Sequence, residues 1–413
     1  MASRIPWKPV LAGVGVALVV GLIVAWQLVM RSFIHAYYLN EYHPAPLAES
    51  DLGQPPPRAR VTDVPWLSEE VGLCQSGSLR MLAAQQGRAL PRPTLDFLMG
   101  FTWGATAIPR RTGFFPGQDP EVGFLRAAPF LGFERRYLTT DSADDFVRAL
   151  KTFLSKGRAV RVALDRSILL DRRGAAPHSV VLVGYDEAGF EYYEPTCDDA
   201  KRCEATERPA GATGLTMTTA QLLIAAESQA LVFQYPWTYQ LLVLEPGPTT
   251  PDLSPLLAVN GRALVGLKSQ GPSTGSVAVS ETARAITRHG AEVVTAELLN
   301  GVRVAAHVRR ENAEAMSSLF ANRPELAPAA EALDESAKRY AEALKALEAK
   351  QLEAAVAALE EASKLDAKAG AVMVAVPPAS GEVHAAPVAR GLLDGLELDA
   401  GSRSLLPGDA GTP

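Results

Sequence analysis

Three cysteines and six histidines in 413 residues leave few groups for nucleophilic or metal chemistry. Cys74 stands in VPWLSEEVGLCQSGSLRMLAAQQG, residues 64 to 87, after Gly72 and at the foot of a stretch, Ser76 to Gln86, whose spacing predicts a helix. A sulfur at that place meets the helix dipole and the free N–H groups of a first turn, which favour thiolate over thiol. The residue equally suits a small apolar filler in a core. A nucleophile needs a base, and among His35, His43, His178, His289, His307 and His384 only His178 opens a clear strand pattern, HSVVLVGYD. The following strand ends at Glu194 in EYYEP, and the short turn DEAGF predicts an antiparallel pair that sets one strand's start beside the other's end. His178 and Glu194 are therefore expected as neighbours, the carboxylate orienting an imidazole whose other nitrogen faces Cys74. Asp165 in VALD and Asp186 in VGYD are further acids that orient the histidine or cap strand ends. Cys197 and Cys203 in CDDAKRC are spaced either for one small disulfide loop or for two free thiols on a turn. Without a nearby histidine or CxxC spacing they do not read as a metal site, and no motif calls for a cofactor.

Positioning these groups requires an α+β layer arrangement with an antiparallel sheet. Ala143 to Lys156 puts Phe146, Leu150, Phe153 and Leu154 on one helical face. AVRVALD (159–165), SVVLVGYD (179–186), FEYYEP (190–195) and YQLLVLEP (239–246) read as strands. Upstream, residues 1–9 flank Val10 to Met30, about 21 residues without a charge, long enough to cross roughly 30 Å of hydrocarbon as a transmembrane anchor. No small-residue cleavage site ends that run, so an uncleaved single-pass anchor is expected. Arg4, Lys8 and the terminal amine before it, against Arg31 after it, place residues 31–413 outside the cytoplasm by the positive-inside bias. Residues 31–60 include HPAPLAESDLGQPPPRAR and are expected as a stiff Pro-rich linker.

The mixed domain is assigned to 61–245, and PGPTTPDLSP marks a boundary to a helical region, 246–376. There, residues 335–370 pattern as a tetratricopeptide-like helix pair with Leu344, Leu347, Leu352, Val356 and Leu359. A single pair packed on the rest of the protein is the plain expectation, a protein partner at these helices the alternative. Residues 377–413 lack periodicity and are expected as a disordered tail. A net charge of -6 without a basic stripe argues against nucleic acid as a partner.

The strings LCQSGSLRMLAAQQG, TLDFLMGFTWG, GRAVRVALDRSILL and PHSVVLVGYDEAGFEYYEP, in that order, resemble the papain-like bacteriocin-leader peptidase superfamily. Within it they are most similar to the N-terminal domain of the butirosin biosynthesis protein H family. The likeness covers residues 64 to 200 and implies a papain-like fold with Cys74 as nucleophile, His178 as base and Glu194 as orienter, where relatives commonly have Asp. Many such enzymes carry a Gln before the nucleophile that donates to the oxyanion hole, whereas this chain offers Ser68, Glu69 and Glu70. An ionised glutamate cannot donate, so Ser68, Gln75 or a backbone N–H is expected to substitute. Phe101, Trp103 and Gly104 are expected in a cleft wall or in core packing. The expected activity is a cysteine peptidase or amide hydrolase acting on a peptide. The alternatives are acyl transfer from an acyl thioester to an amine or hydroxyl, and a catalytically inactive binding module.

Overall fold

The structure, a computed structural model, describes residues 7–68, 74–100, 106–108, 111–113, 119–196, 207–248, 252–266 and 273–377. Two units divide the chain: residues 1–43 with 382–413, and residues 44–381. In the first, helix α1 (Trp7–Tyr42) runs twelve residues beyond Met30, because Arg31 to Tyr42 contains neither Gly nor Pro to stop it. The helix ends before His43, which adopts a left-handed backbone with φ 46° ahead of Pro44. The expected linker is shortened accordingly. Leu18–Tyr42 has a mean hydropathy of 1.7, a length and composition that fit a membrane span and equally an N-terminal signal sequence.

The second unit opens with three two-residue strands, β1 (Ala45–Pro46), β2 (Ala59–Arg60) and β3 (Trp66–Leu67), and then two helices, α2 (Cys74–Gln85) and α3 (Arg92–Met99). The short pair β4 (Thr106–Ile108) and β5 (Arg111–Gly113) leads to α4 (Pro120–Phe130), β6 (Phe133–Thr140) and α5 (Ala143–Ser155). Next come β7 (Val160–Asp165), the single turn α6 (Arg166–Leu169), and the pair β8 (Pro177–Tyr185) and β9 (Phe190–Tyr193). β10 (Glu207–Arg208), β11 (Leu215–Met217), α7 (Thr219–Phe233) and β12 (Tyr239–Pro246) complete the sheet region. Beyond it lie α8 (Ser254–Val265), β13 (Ser273–Thr274), α9 (Gly275–His289), α10 (Ala296–Leu319), α11 (Ala327–Glu348) and α12 (Leu352–Ala375).

The main sheet has eight strands in the order β1-β6-β12-β7-β8-β9-β11, with β2 on β8. Its pairs are antiparallel except β1 on β6, so the sheet is mixed rather than wholly antiparallel. β7 and nearly all of β8 are buried on both faces, as their continuous apolar runs require. Strand alternation separates the two coats. Phe146 of α5 stacks on Tyr239, which shares a face with Leu241 and its partner Val162; Ser78 of α2 meets Ser179, the partner of Ala163, on the other face.

The boundary at residues 246–255 changes secondary structure without separating bodies, since residues 44–381 form one unit. Asn260 of α8 donates to the Phe97 carbonyl of α3 at 2.7 Å, Phe97 meets Phe320 edge to face, and Arg92 pairs with Glu311 of α10. The expected helix pair is α11 and α12, longer than 335–370 at both ends and packed with α9 and α10 around Tyr340, Leu347 and Leu359. Among alanines, which let the axes approach closely, those helices bury Arg309, held by Asp366 at 2.9 and 3.0 Å. Ser336 and Tyr340 complete the Asp366 shell at 2.7 and 2.8 Å.

Candidate functional site

Helix α2 begins at Cys74, two residues ahead of the predicted start, so the sulfur sits on its first turn. The turn is small and polar, with Gln75, Ser76 and Ser78 buried and Cys74 partly exposed, free of any disulfide. That smallness has a packing reason. A Cβ on Gly77 would stand 2.8 Å from the Pro195 Cβ and 2.9 Å from the Pro195 carbonyl oxygen, so the helix start lies hard against the segment that carries Glu194.

The predicted antiparallel pair supplies the other two groups. β8 and β9 pair Val181 with Tyr193 and Tyr185 with Phe190, which brings the chain after Tyr193 alongside the start of β8. His178 Nε2 lies 2.5 Å from Glu194 Oε1, with both side chains buried. Glu194 is fixed from several directions: Thr196 donates its N–H and its hydroxyl to Oε1, each at 3.1 Å, and Arg166 stands 3.4 Å from Oε2. Its carbonyl accepts from Trp66 Nε1 at 2.8 Å and from Ser68 at 2.6 Å. Trp66 in turn stacks flat on Tyr193, 5.2 Å between centroids, under the Arg208 guanidinium.

Cys74 lies close enough to His178 for its charge to act on the imidazole. With Nε2 on the carboxylate, Nδ1 is left for the sulfur. Burial opposes a charged imidazole, yet the charge and hydrogen bond of Cys74, followed by those of Glu194, raise the His178 pKa from 6.5 to about 9. Glu194 moves oppositely: burial pushes its pKa up, and the His178 hydrogen bond and charge, Arg166 and the Thr196 N–H outweigh that and lower it. The arrangement can pass a thiol proton to an imidazole that a carboxylate holds in place.

The remaining expected residues separate into supports and bystanders. Ser68 spends its only hydroxyl proton on the Glu194 carbonyl, so it braces the acid and is not placed as an oxyanion donor. Gln75 donates to Glu121 at 3.0 Å and leaves its Oε1 buried without a partner. Asp186 follows the far end of β8 and accepts from the Ala188 N–H at 2.8 Å, capping the turn to β9; it does not orient His178. Asp165 opposes Pro177 and accepts from Ser167, Ala176 and Ser228, which fixes the loop that delivers His178. Glu69, Glu70, Phe101, Trp103, Gly104, Cys197, Cys203 and the tail from 378 lie outside the described residues. Sequence reasoning missed Trp66, Thr196, Arg166 and the buried pair Glu121–Arg161. The one signal for the last was an arginine in the middle of the otherwise apolar AVRVALD. Among the described residues no three His, Cys, Asp or Glu side chains cluster as metal ligands would.

Compared with known proteins, the chain matches no family model, and no curated protein matches it.

Proposed function

We propose that this protein is a membrane-anchored, papain-like thiol enzyme that works through a Cys74 thioester, foremost a cysteine peptidase or amide hydrolase. The observation that carries the reading is Cys74 on the first turn of a helix beside His178, whose Nε2 lies 2.5 Å from Glu194 Oε1. In the proposed cycle the Cys74 sulfur, its proton already resting on His178, attacks a substrate carbonyl carbon. The amide C–N bond then breaks as His178 returns that proton to the departing amine, and a thioester remains. Water, deprotonated by His178, adds to the thioester carbonyl; the C–S bond breaks, and the acid and the thiol are released. The backbone N–H of Cys74, at the start of α2, supplies an oxyanion donor in this reading. Glu194 keeps the imidazole aligned and balances its charge throughout. The positive residues ahead of the apolar run, Arg4 and Lys8, support a body held outside the cytoplasm.

The test is acyl trapping. The full chain in detergent is mixed with an activated p-nitrophenyl ester, and the peptide containing Cys74 is weighed after rapid acid quench. One acyl group on Cys74, absent in Cys74→Ala and slow to form in His178→Ala, is the expected result. Absence of any adduct under conditions where free cysteine reacts would leave the fold as a binding module. Faster loss of the adduct with added amine than with water alone would turn the reading to acyl transfer.

A further inference from the structure

Beside the three residues of that reading lies a second set of buried charges that it does not use. Arg161 is the second residue of β7, a strand paired on both sides, and is 1% exposed. Its guanidinium grips Glu121 end-on, NH1 to Oε1 at 2.6 Å and NH2 to Oε2. Glu121 sits in the first turn of α4, where Asp119 caps its N–H at 2.9 Å, and it also accepts from Gln75, the residue next to Cys74. The starts of α2 and α4 are thus pinned to the central strand through one carboxylate. The set is not a fully satisfied structural knot, since Arg161 Nε and Gln75 Oε1 are both buried without a partner. Burying an ion pair generally stabilises less than packing apolar groups of the same volume, so fold stability alone is a poor reason for it.

We propose that Arg161 is a positioning residue for the nucleophile: locked to Glu121, and through it to Gln75, it fixes the first turn of α2 and sets a permanent positive charge near Cys74. This rests on the thiol-enzyme reading above. The charges of Cys74 and Arg161 act on each other: burial opposes the Arg161 charge, while Glu121, Tyr137, Tyr235 and Cys74 raise its pKa above the ordinary value. Among the described residues, the other ionising groups on the elements that meet here are His178, backed by Glu194 and Arg166, and, across Gln75, Glu121 of α4 with its N-cap Asp119. Tyr137 of β6 stays neutral, its pKa pushed well up by burial and by Glu121. Arg161, like Arg166 behind Glu194, keeps its charge throughout, whereas His178 titrates.

The experiment follows iodoacetamide labelling of the Cys74 peptide against pH in the full chain, with thermal melting of every variant. Arg161→Met combined with Glu121→Gln removes both charges and keeps an acceptor for Gln75. Labelling at about pH 6 is expected to slow about tenfold, with the rate above about pH 10 unchanged. Glu121→Gln alone leaves the cation uncompensated and is expected to shift labelling the other way, towards lower pH, so one result stands if the double variant does not fold. Profiles that superimpose on the native one in a folded variant would make Arg161 purely structural. A native profile that ignores His178→Ala would instead overturn the thiol-enzyme reading itself, so the two failures are distinct.

Discussion

At the scale of single residues, the shared proton between His178 and its neighbours makes the sharpest forecast. The His178 pKa lies above its ordinary value, so the imidazole holds its proton at neutral pH and loses it as pH rises through about 9. The stability drawn from that proton is complete below about pH 6.5, the ordinary histidine value, and is lost towards pH 9. Turnover of an amide substrate should accordingly show a basic limb near pH 9, because the amine then departs without an acid. Cys74→Ala removes the charge and the hydrogen bond that raise this pKa most, and carbon-13 NMR of labelled histidine should find the 178 ring titrating at least about one unit lower. An unchanged midpoint would detach the sulfur from the ring. Glu194→Gln keeps an acceptor but not the charge, and should cut amide hydrolysis about a hundredfold. The pairing of His178 with Glu194 was legible in the sequence because a short turn fixes the register of adjacent strands. Trp66 and Ser68 were not, since their bonds to the Glu194 carbonyl join residues 128 and 126 positions apart, and no local pattern records that distance.

At the scale of elements, the approach of α2 to residue 195 decides whether the sulfur reaches the ring. Gly77→Ala drives a methyl into backbone and side chain of Pro195, a steric strain of about 1–3 kcal/mol. Retreat of the helix start from residue 195 also carries Cys74 with it, so low-pH labelling should fall more than the melting temperature would suggest; equal, small effects on both would show that the site tolerates the shift. Strands β7, β8, β9 and β12 and helix α5 were readable to within two residues because each carries its own periodicity. β1 was hidden in a Pro-rich stretch that composition marks as spacer, and as a two-residue parallel edge on β6 it has no pattern of its own. The neighbours β6 and β12 pair Thr140 with Tyr239 and Phe133 with Pro246, a long-range match invisible to local reading.

At the scale of the whole molecule, the helical region and the sheet share one unit, although composition divides them at residue 246. The joint lies in α3, where Asn260 and Phe320 meet Phe97 and Glu311 meets Arg92. Asp366→Ala strands the buried Arg309 charge in the helical region and should destabilise by about 3–5 kcal/mol. Calorimetry should record that loss as one lowered transition for residues 44–381, with Cys74 labelling and helix content lost together. Two separated transitions would mean that the helices form a domain of their own. Helix α1 forecasts that the full chain stays with membranes after alkaline carbonate washing, and recovery in the wash would rule out a span.

Whether Cys74 and His178 form a reactive pair is decided most directly by iodoacetamide labelling of the Cys74 peptide in the full chain between about pH 5 and 10, native against His178→Ala. Rapid labelling at about pH 6 that collapses in the variant is the expected result. Labelling that rises only near about pH 8.5, as for an isolated thiol, and is indifferent to His178, would show that the two side chains touch without reacting as a pair.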